Sequence, residues 1–333
     1  MTDRPPVFVT RELSLGLIEN LRLELGAEVS PHDRPLSRDE LKAAVAGRTA
    51  LITMLDDRVD SEILDAAGPR LRIVANHAVG YDNVDVEAAT RRRIAVTNTP
   101  GVLDEATATL AVALLLAIAR RIVEADTYVR AGRWTRGWAP NFFTGLDVDG
   151  RVLGIAGLGR IGRALARKAT GLGLRVIYTA RQRDAAAEDE TGALFVDKDT
   201  LFRSADFVAP CLSVNESTWH YVGARELAMM KPSAALINVS RGPIVDEGAL
   251  AAVLAARGIA GAALDVFENE PALTPGLIEL DNVVLTPHIG SATVETRSAM
   301  GSIAIRNVLA RARGEPPISC VNPSIWEDLG GQR

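Results

Sequence analysis

The sequence has little of several residue types, and each scarcity excludes a class of protein. It holds only two cysteines among 333 residues, and their wide separation gives no reason to expect a disulfide framework or a metal site. The formal net charge is −5, so no positive field favours nucleic acid or an anionic membrane as a partner. The N-terminus lacks the apolar core of a signal peptide. Together these scarcities predict a cytoplasmic protein that binds neither nucleic acid nor membrane.

Long hydrophobic runs are also missing. The longest, Ala106–Ala119, is followed by two arginines and is shorter than the ~20 residues that a bilayer requires. It predicts a buried helix with Asp104 as its N-cap. Because the run is broader than one core face needs, it also favours a homodimer with this helix at or near the interface.

Short apolar runs alternate with stretches of helical pattern along the whole chain, which predicts βαβ units and parallel sheets. A chain of 333 residues suits two domains. We therefore expect an α/β fold of two doubly wound parallel-sheet domains, Rossmann or flavodoxin-like. The turn-forming sequence at Pro100–Gly101 is a candidate boundary. The predicted strands are Val7–Val9, Ala50–Leu55, Ile73–Ala75, Ile94–Val96, Val152–Ala156, Leu174–Tyr178, Phe207–Ala209, Ala235–Asn238, Gly261–Leu264 and Val283–Leu285. The main predicted helices are Glu12–Leu25, Arg38–Ala46, Ser61–Ala67, Val84–Arg92, Ile161–Leu172 and Ala292–Arg313.

A glycine-rich segment, Gly157–Gly162, has the pattern GxGxxG between a predicted strand and a predicted helix. The first glycine permits a tight turn, the second lets a pyrophosphate approach the backbone, and the third lets helix and strand pack closely. The helix N-terminus offers free N–H groups to the phosphates. The segment therefore predicts a dinucleotide site.

The end of the following strand bears on which dinucleotide binds. An acid there would accept a hydrogen bond from the ribose 2′-hydroxyl of NAD, but no acid occurs before Asp184. Arg181 and Arg183 would instead pair with a 2′-phosphate. This favours NADP(H), with NAD(H) still possible.

Three charged groups that follow predicted strands suggest the chemistry. Hydride transfer to a ketone needs a proton donor, and His288 suits that role near neutral pH. Glu268 or Glu270 could keep its imidazole protonated, and spacing alone does not choose between them. Arg241 could hold a substrate carboxylate and polarise the carbonyl. The set predicts hydride transfer to the carbonyl group of a substrate that also carries a carboxylate.

Several segments resemble the D-isomer-specific 2-hydroxyacid dehydrogenase family, in the family's order and over nearly the whole chain. They are Asn76–Asp85, Gly157–Gly162, Asn238–Asp246, Gly261–Pro271 and Thr286–Thr293. The resemblance implies that the catalytic residues are Arg241, Glu270 and His288, with His288 as general acid/base and Glu270 as its partner.

The resemblance also implies binding residues and domains. The backbone N–H groups of Val79 and Gly80 would hold the substrate carboxylate. Residues 1–100 with 292–333 would form the substrate-binding domain, and residues 101–291 the dinucleotide-binding Rossmann domain. The implied cofactor contacts are Leu158, Gly159, Arg160, Ile161, Ala180, Arg181, Gln182, Val239, Ser240, Asp265 and Gly290.

Within the family, the chain is most similar to glyoxylate/hydroxypyruvate reductases, through Ala78–Asn83, Gly101–Ala119, Thr179–Gln182 and Trp134–Phe143. This implies reduction of glyoxylate or hydroxypyruvate to the D-2-hydroxy acid. The sequence ranks no single 2-oxo acid above the others and leaves the physiological direction open.

Other branches fit less well or remain as alternatives. Phosphite-oxidising relatives carry a lysine at the position of Val79, and formate-oxidising relatives carry a glutamine at the position of Glu270. Phosphoglycerate-oxidising relatives usually carry an aspartate near the position of Thr179. Each of these differences argues against the branch concerned. A D-2-hydroxyacid dehydrogenase with a different substrate is one alternative, and a nucleotide-sensing corepressor is another. Loss of NADPH absorbance with glyoxylate would separate an enzyme from a corepressor.

Overall fold

The structure, a computed structural model, describes residues 6–13 and 16–327. Its strands are β1 (Val7–Val9), β2 (Ala27–Val29), β3 (Ala50–Thr53), β4 (Ile73–Asn76), β5 (Ala95–Thr97), β6 (Val152–Ala156), β7 (Arg175–Thr179), β8 (Leu194–Phe195), β9 (Phe207–Pro210), β10 (Ala235–Asn238), β11 (Gly261–Leu264) and β12 (Val283–Leu285). Its helices are α1 (Leu17–Leu25), α2 (Arg38–Val45), α3 (Ser61–Ala67), α4 (Val86–Arg91), α5 (Asp104–Ala119), α6 (Ile122–Arg130), α7 (Arg160–Gly171), α8 (Ala185–Thr191), α9 (Lys198–Ser204), α10 (Ala224–Met229), α11 (Glu247–Ala255), α12 (Val294–Ala312) and α13 (Ser324–Glu327), with a 3-10 helix over Gly242–Ile244.

The chain divides into two compact units, Met1–Leu103 with Ala292–Arg333, and Asp104–Ser291. Each contains one sheet whose paired strands all run parallel. Strands β3, β4, β9, β10 and β11 are buried at every position, as expected when helices cover both faces of a sheet. The predicted α/β fold with two parallel sheets is confirmed.

The first unit has five strands in the order β2-β1-β3-β4-β5, which is the flavodoxin-like order. The second has seven, in the order β12-β11-β10-β9-β6-β7-β8. When the strands of this unit are numbered from β6 onwards, their order is the Rossmann order 3-2-1-4-5-6 with a seventh strand added at one edge. The connection reverses direction between β6 and β9, and ligands of such sheets bind outside the carboxyl ends at that point.

Some element boundaries differ from the predictions. The helix predicted over Glu12–Leu25 begins at Leu17, after Gly16 in a left-handed conformation with φ of 83°, and positions 14–15 of the predicted stretch lie outside the described residues. Strands β2 and β8 were not predicted. They contain three and two residues, and none of the five is fully buried. Glu28 interrupts the apolar pattern of β2, and β8 lies in an apolar run of only four residues, Ala193–Val196.

Helix α5 packs within the second unit along one side, where Thr107, Ala108, Ala111, Leu114 and Leu115 are buried. The prediction of Asp104 as its N-cap is wrong. Asp104 is the first residue of the helix, and its carboxylate pairs with Arg160 Nε at 3.1 Å instead.

Helix α6, which follows, has no buried residue.

Within residues 6–13 and 16–327 no single helix has the length and apolarity to cross a membrane. Helices α5 and α6, bent by 64°, meet those criteria only when taken together.

Candidate active site

The three charged residues proposed for chemistry follow three neighbouring strands. Strands β10, β11 and β12 are adjacent and parallel, with Asn238 paired to Leu264 and Leu264 to Leu285. Their carboxyl ends therefore lie at one edge of the sheet. Arg241, Glu270 and His288 come after these ends in turn.

His288 and Glu270 contact each other directly. The imidazole Nδ1 lies 2.8 Å from Glu270 Oε2, and the two side chains are 23% and 29% exposed. The other carboxylate oxygen accepts a hydrogen bond from the Phe267 backbone N–H at 2.9 Å. His288 Nε2 has no hydrogen-bond partner in the part of the chain that the structure describes. One ring nitrogen is therefore oriented by a carboxylate and the other is free to face a reactant.

The ionisation of Glu270 suits this pairing. Burial alone would raise the pKa of its carboxyl, but the hydrogen bond and charge of His288, the Phe267 N–H and the charge of Arg241 together hold the pKa below its usual value. Glu270 is thus an anion at neutral pH. An anion at hydrogen-bond distance favours the protonated form of an imidazole.

The loop that carries His288 is fixed by Asp265, which is 1% exposed. The carboxylate accepts hydrogen bonds from the Thr286 hydroxyl at 2.6 Å and from the backbone N–H groups of Ile289 and Gly290 at 2.8 Å. Its backbone carbonyl accepts from the His288 N–H at 2.8 Å. His288 itself has a left-handed backbone with φ of 55°, which is uncommon for residues other than glycine. Asp265 therefore organises this loop, a role that the sequence did not indicate.

Arg241 is held by a turn that the buried Asn238 builds. The Asn238 amide oxygen accepts from the N–H and hydroxyl of Ser240 at 3.0 and 2.8 Å, and its NH₂ group donates to the Arg241 carbonyl at 3.0 Å. A Cβ atom at Gly242 would lie 1.9 Å from the Phe267 carbonyl carbon, so only glycine fits. The loops after β10 and β11 are consequently in close backbone contact.

The glycine-rich loop has the geometry that a pyrophosphate requires. Gly157 has φ of 96°, and a Cβ there would lie 2.7 Å from the Cys211 carbonyl oxygen. A Cβ at Gly162 would lie 2.3 Å from the Gly157 carbonyl oxygen. A Cβ at Gly159, in contrast, would meet nothing within 4 Å, and Gly159 caps α7 without a side-chain acceptor. The close contacts fix the turn, and the open position with free helical N–H groups suits a phosphate.

The remaining residues predicted to contact the cofactor lie at the same edge. Leu158 and Ile161 flank the start of α7, Val239 and Ser240 follow β10, and Gly290 is in the loop held by Asp265. The Arg160 guanidinium contacts Asp104.

The residues after β7 differ in how far their charges are neutralised. Arg183 binds the Glu188 carboxylate through Nη2 at 2.7 Å and Nε at 2.9 Å. Asp184 caps α8 and binds Arg163. Ala180 is half-buried, whereas Arg181 and Gln182 are exposed, and Arg181 has no ion pair with any described residue. Of the two arginines proposed to bind a 2′-phosphate, Arg181 alone is unpaired within the described residues.

In the first unit, the loop after β4 leaves two backbone donors unused. The Val79 carbonyl accepts from the Asn98 amide at 2.8 Å, and the Gly80 carbonyl from the Asn76 amide at 2.9 Å. The N–H groups of Val79 and Gly80 have no acceptor among the described residues. Adjacent free N–H groups are suited to binding an anion.

A second histidine–glutamate pair was not predicted. His220 Nε2 contacts Glu268 Oε1, and its Nδ1 lies 3.8 Å from Asp246 Oδ2. Trp219 stacks on the imidazole with ring centroids 5.2 Å apart. Glu268, which spacing alone left as a possible partner of His288, is therefore paired with a different histidine. His220 and Glu268 are 48 residues apart, and no sequence signal connects them.

Comparison with known proteins identifies similar chains. Residues 112–290 match the family described as D-isomer specific 2-hydroxyacid dehydrogenase, NAD binding domain. A glyoxylate reductase of Thermococcus gammatolerans is 49% identical over 325 residues, which cover 97% of each chain.

Solved structures are similar over the same extent. The crystal structure of a glyoxylate reductase from Paecilomyes thermophila is 30% identical, with a TM-score of 0.85 over 96% of this chain and 98% of that one. An NADPH-dependent glyoxylate/hydroxypyruvate reductase from Sinorhizobium meliloti, in complex with NADP and malonate, is 33% identical, with a TM-score of 0.82 over 96% and 97% of the two chains.

Proposed function

Because the chain belongs to the D-isomer specific 2-hydroxyacid dehydrogenase family and is a nicotinamide-dependent dehydrogenase, we propose that it reduces glyoxylate, hydroxypyruvate or a 2-oxo acid of similar size to the D-2-hydroxy acid. The observation that carries the proposal is the His288–Glu270 pair with its free Nε2, at the same sheet edge as Arg241 and the glycine-rich loop. The names of the relatives support the choice of substrate.

In this proposal His288 is the proton donor. A nicotinamide dinucleotide, held at the glycine-rich loop and the start of α7, would supply a hydride for the 2-carbon. Negative charge then builds on the carbonyl oxygen, and the imidazolium delivers its Nε2 proton there. Glu270, through its contact with Nδ1, orients the ring and stabilises its positive charge.

Arg241 and the loop after β4 would bind the rest of the substrate. The Arg241 guanidinium would polarise the carbonyl and hold the carboxylate, since it offers paired donors in a planar arrangement. The unused N–H groups of Val79 and Gly80 would donate hydrogen bonds to the substrate carboxylate. In these terms Asp104–Ser291 is the dinucleotide-binding domain, and the other unit is the substrate-binding domain.

We propose NADPH as the preferred cofactor. An unpaired, exposed Arg181 next to the end of β7 would pair with the 2′-phosphate, and no carboxylate stands at the end of that strand to bind the 2′-hydroxyl of NADH. The NADPH dependence of the Sinorhizobium meliloti reductase agrees with this choice.

We further propose a homodimer. Helix α6 has no buried residue, and large apolar side chains on it and on the following loop are exposed, among them Ile122, Val129, Trp134 and Trp138. A second copy of the chain would cover them together with the outer side of α5. Sedimentation at micromolar concentration should show a dimer, and a 35.5 kDa species would contradict this.

The activity is tested with the purified protein, NADPH or NADH, and a panel of glyoxylate, hydroxypyruvate and pyruvate. We expect loss of reduced-nicotinamide absorbance with at least one acid, faster with NADPH, and a D-configured product. Tight NADPH binding without turnover of any 2-oxo acid would favour the nucleotide-sensing alternative.

A further inference from the structure

We propose that Glu268, with His220 as its partner, is a positioning residue that fixes Glu270 and Arg241 in their working geometry. The inference rests on the proposed roles of Glu270 and Arg241. The proposed mechanism does not use the Glu268 carboxylate, although Glu268 lies only two residues from Glu270, which the mechanism does use.

The backbone of Glu268 is anchored to helix α11. Its N–H donates to Glu247 Oε1 at 2.6 Å, and Glu247 Oε2 accepts from the Thr274 hydroxyl at 2.6 Å. Glu247 is 2% exposed and is the first residue of α11. One buried carboxylate thus holds the segment that contains Glu270 on both sides, at Glu268 and at Thr274.

The side chain of Glu268 is linked to the turn that carries Arg241. Its carboxylate contacts His220 Nε2, and the His220 backbone N–H donates to the Pro243 carbonyl at 2.8 Å. Pro243 belongs to the 3-10 helix that starts directly after Arg241. The Glu268–His220 pair therefore joins the loops after β9, β10 and β11.

Close packing transmits the position of Glu268 to both functional residues. A Cβ at Gly242 would lie 2.3 Å from the Glu268 nitrogen, so a displacement of Glu268 moves the residue next to Arg241. In the other direction, Glu270 folds back to accept from the Phe267 N–H. The path of the chain through Glu268 therefore sets the direction in which the Glu270 carboxylate points.

A role for His220 as a second proton donor does not fit this geometry. Its Nε2 is bound to Glu268 and its Nδ1 lies 3.8 Å from the Asp246 carboxylate, so each ring nitrogen faces a carboxylate of this chain. The Glu268–His220 pair also differs from an ordinary surface ion pair, which contributes little to stability. The Glu268 side chain is only 17% exposed, and the pair connects three loops.

The test compares Glu268→Ala with Glu268→Gln, whose amide oxygen can still accept from His220. In Glu268→Ala we expect kcat for 2-oxo acid reduction to fall about tenfold, since small misplacements of catalytic groups are costly. KM for the 2-oxo acid should rise, and the alkaline limb of the rate should move to lower pH. The Kd of NADPH should not change, because the glycine-rich loop is untouched. Glu268→Gln should recover most of the loss, and Glu279→Ala, an exposed glutamate on the same connection, is the control.

His220→Asn provides a second arm. Asparagine tolerates the left-handed backbone of His220, for which φ is 49°, but it is too short to reach Glu268. Its defect should resemble that of Glu268→Ala, and the double variant should be no worse than the poorer single variant.

A lower melting temperature with unchanged kcat, KM and pH profile in both single variants would overturn the inference, as would additive losses in the double variant. Absence of activity in the unaltered enzyme on every 2-oxo acid would overturn the proposed function and this inference with it.

Discussion

The second unit contains two histidine–glutamate pairs that look alike in composition and differ in surroundings. His288 pairs with Glu270 and His220 with Glu268, so the two glutamates come from one loop, two positions apart. Both histidines have left-handed backbones, with φ of 55° and 49°.

The two pairs differ in what is left for another molecule. His288 has one nitrogen on a carboxylate and one without a hydrogen-bond partner among the described residues. His220 has Nε2 on the Glu268 carboxylate, Nδ1 3.8 Å from the Asp246 carboxylate, and a tryptophan stacked on its ring. This difference supports the proposal that His288, whose second nitrogen has no hydrogen-bond partner among the described residues, is the acid–base group. For the His220–Glu268 pair, we instead propose a role in connecting loops.

The largest expected effect breaks the first pair. His288→Ala should lower kcat for 2-oxo acid reduction by ~10²-fold or more, because the proton donor is lost. The Kd of NADPH should stay nearly unchanged, since the glycine-rich loop is intact. Stopped-flow reduction and fluorescence titration measure the two quantities. A variant with nearly full kcat on every acid tested would show that His288 is not the donor.

A third histidine, His77 of the first unit, shows what happens without a carboxylate partner. It is 6% exposed, and Nε2 has no partner among the described residues. Burial, together with the charge of Arg297, lowers its pKa to about 4, below the usual value of about 6.5.

The sign of the resulting pH dependence follows from proton binding. Between these two pKa values the unfolded chain binds more protons than the folded one, so stability falls as pH falls. His77 should account for about 2 kcal/mol of the loss in unfolding free energy between about pH 7 and pH 5. Urea unfolding of His77→Phe should show a shallower pH dependence by that amount. The exposed His32 is the control, and His32→Asn should keep the original dependence. Parallel curves for the unaltered protein and His77→Phe would refute the assignment.

A smaller expected effect concerns the two arginines after β7, one of which is paired with a carboxylate and one of which is not. Arg181→Ala should raise KM for NADPH about tenfold and leave KM for NADH nearly unchanged, because only NADPH loses a 2′-phosphate partner. Arg183→Ala should do less, since Glu188 already binds that guanidinium. Equal responses of the two cofactors would make Arg181 an ordinary surface charge.

Which parts could be predicted from the sequence depends on how local the responsible interactions are. The strand, glycine-rich turn and helix around Gly157–Gly162 were predictable because spacing along the chain determines them. The pairing of Glu268 with His220 was not, since it joins loops that have no periodic pattern. The Asp265 contacts were missed for a similar reason, because a buried carboxylate that binds backbone N–H groups leaves no mark in the sequence.

The glutamates of the two pairs illustrate the same limit. Sequence spacing alone made Glu268 and Glu270 equally good candidates for the partner of His288, and the family resemblance favoured Glu270. Only the three-dimensional path of the loop, with Gly242 against Phe267 and Glu268, explains why two residues so close in sequence reach different histidines.

The most direct test of the central claim is the pH dependence of the reduction rate in Glu270→Gln and Glu268→Gln, measured side by side. The two variants carry the same chemical change on the same loop. Losing the Glu270 carboxylate removes the anion that contacts the His288 imidazole. Since such an anion favours the charged form of an imidazole, the alkaline limb should move to lower pH. In Glu268→Gln the limb should stay in place. Equal movement in both variants, or movement in Glu268→Gln alone, would contradict the assignment of His288 and Glu270 as the acid–base pair.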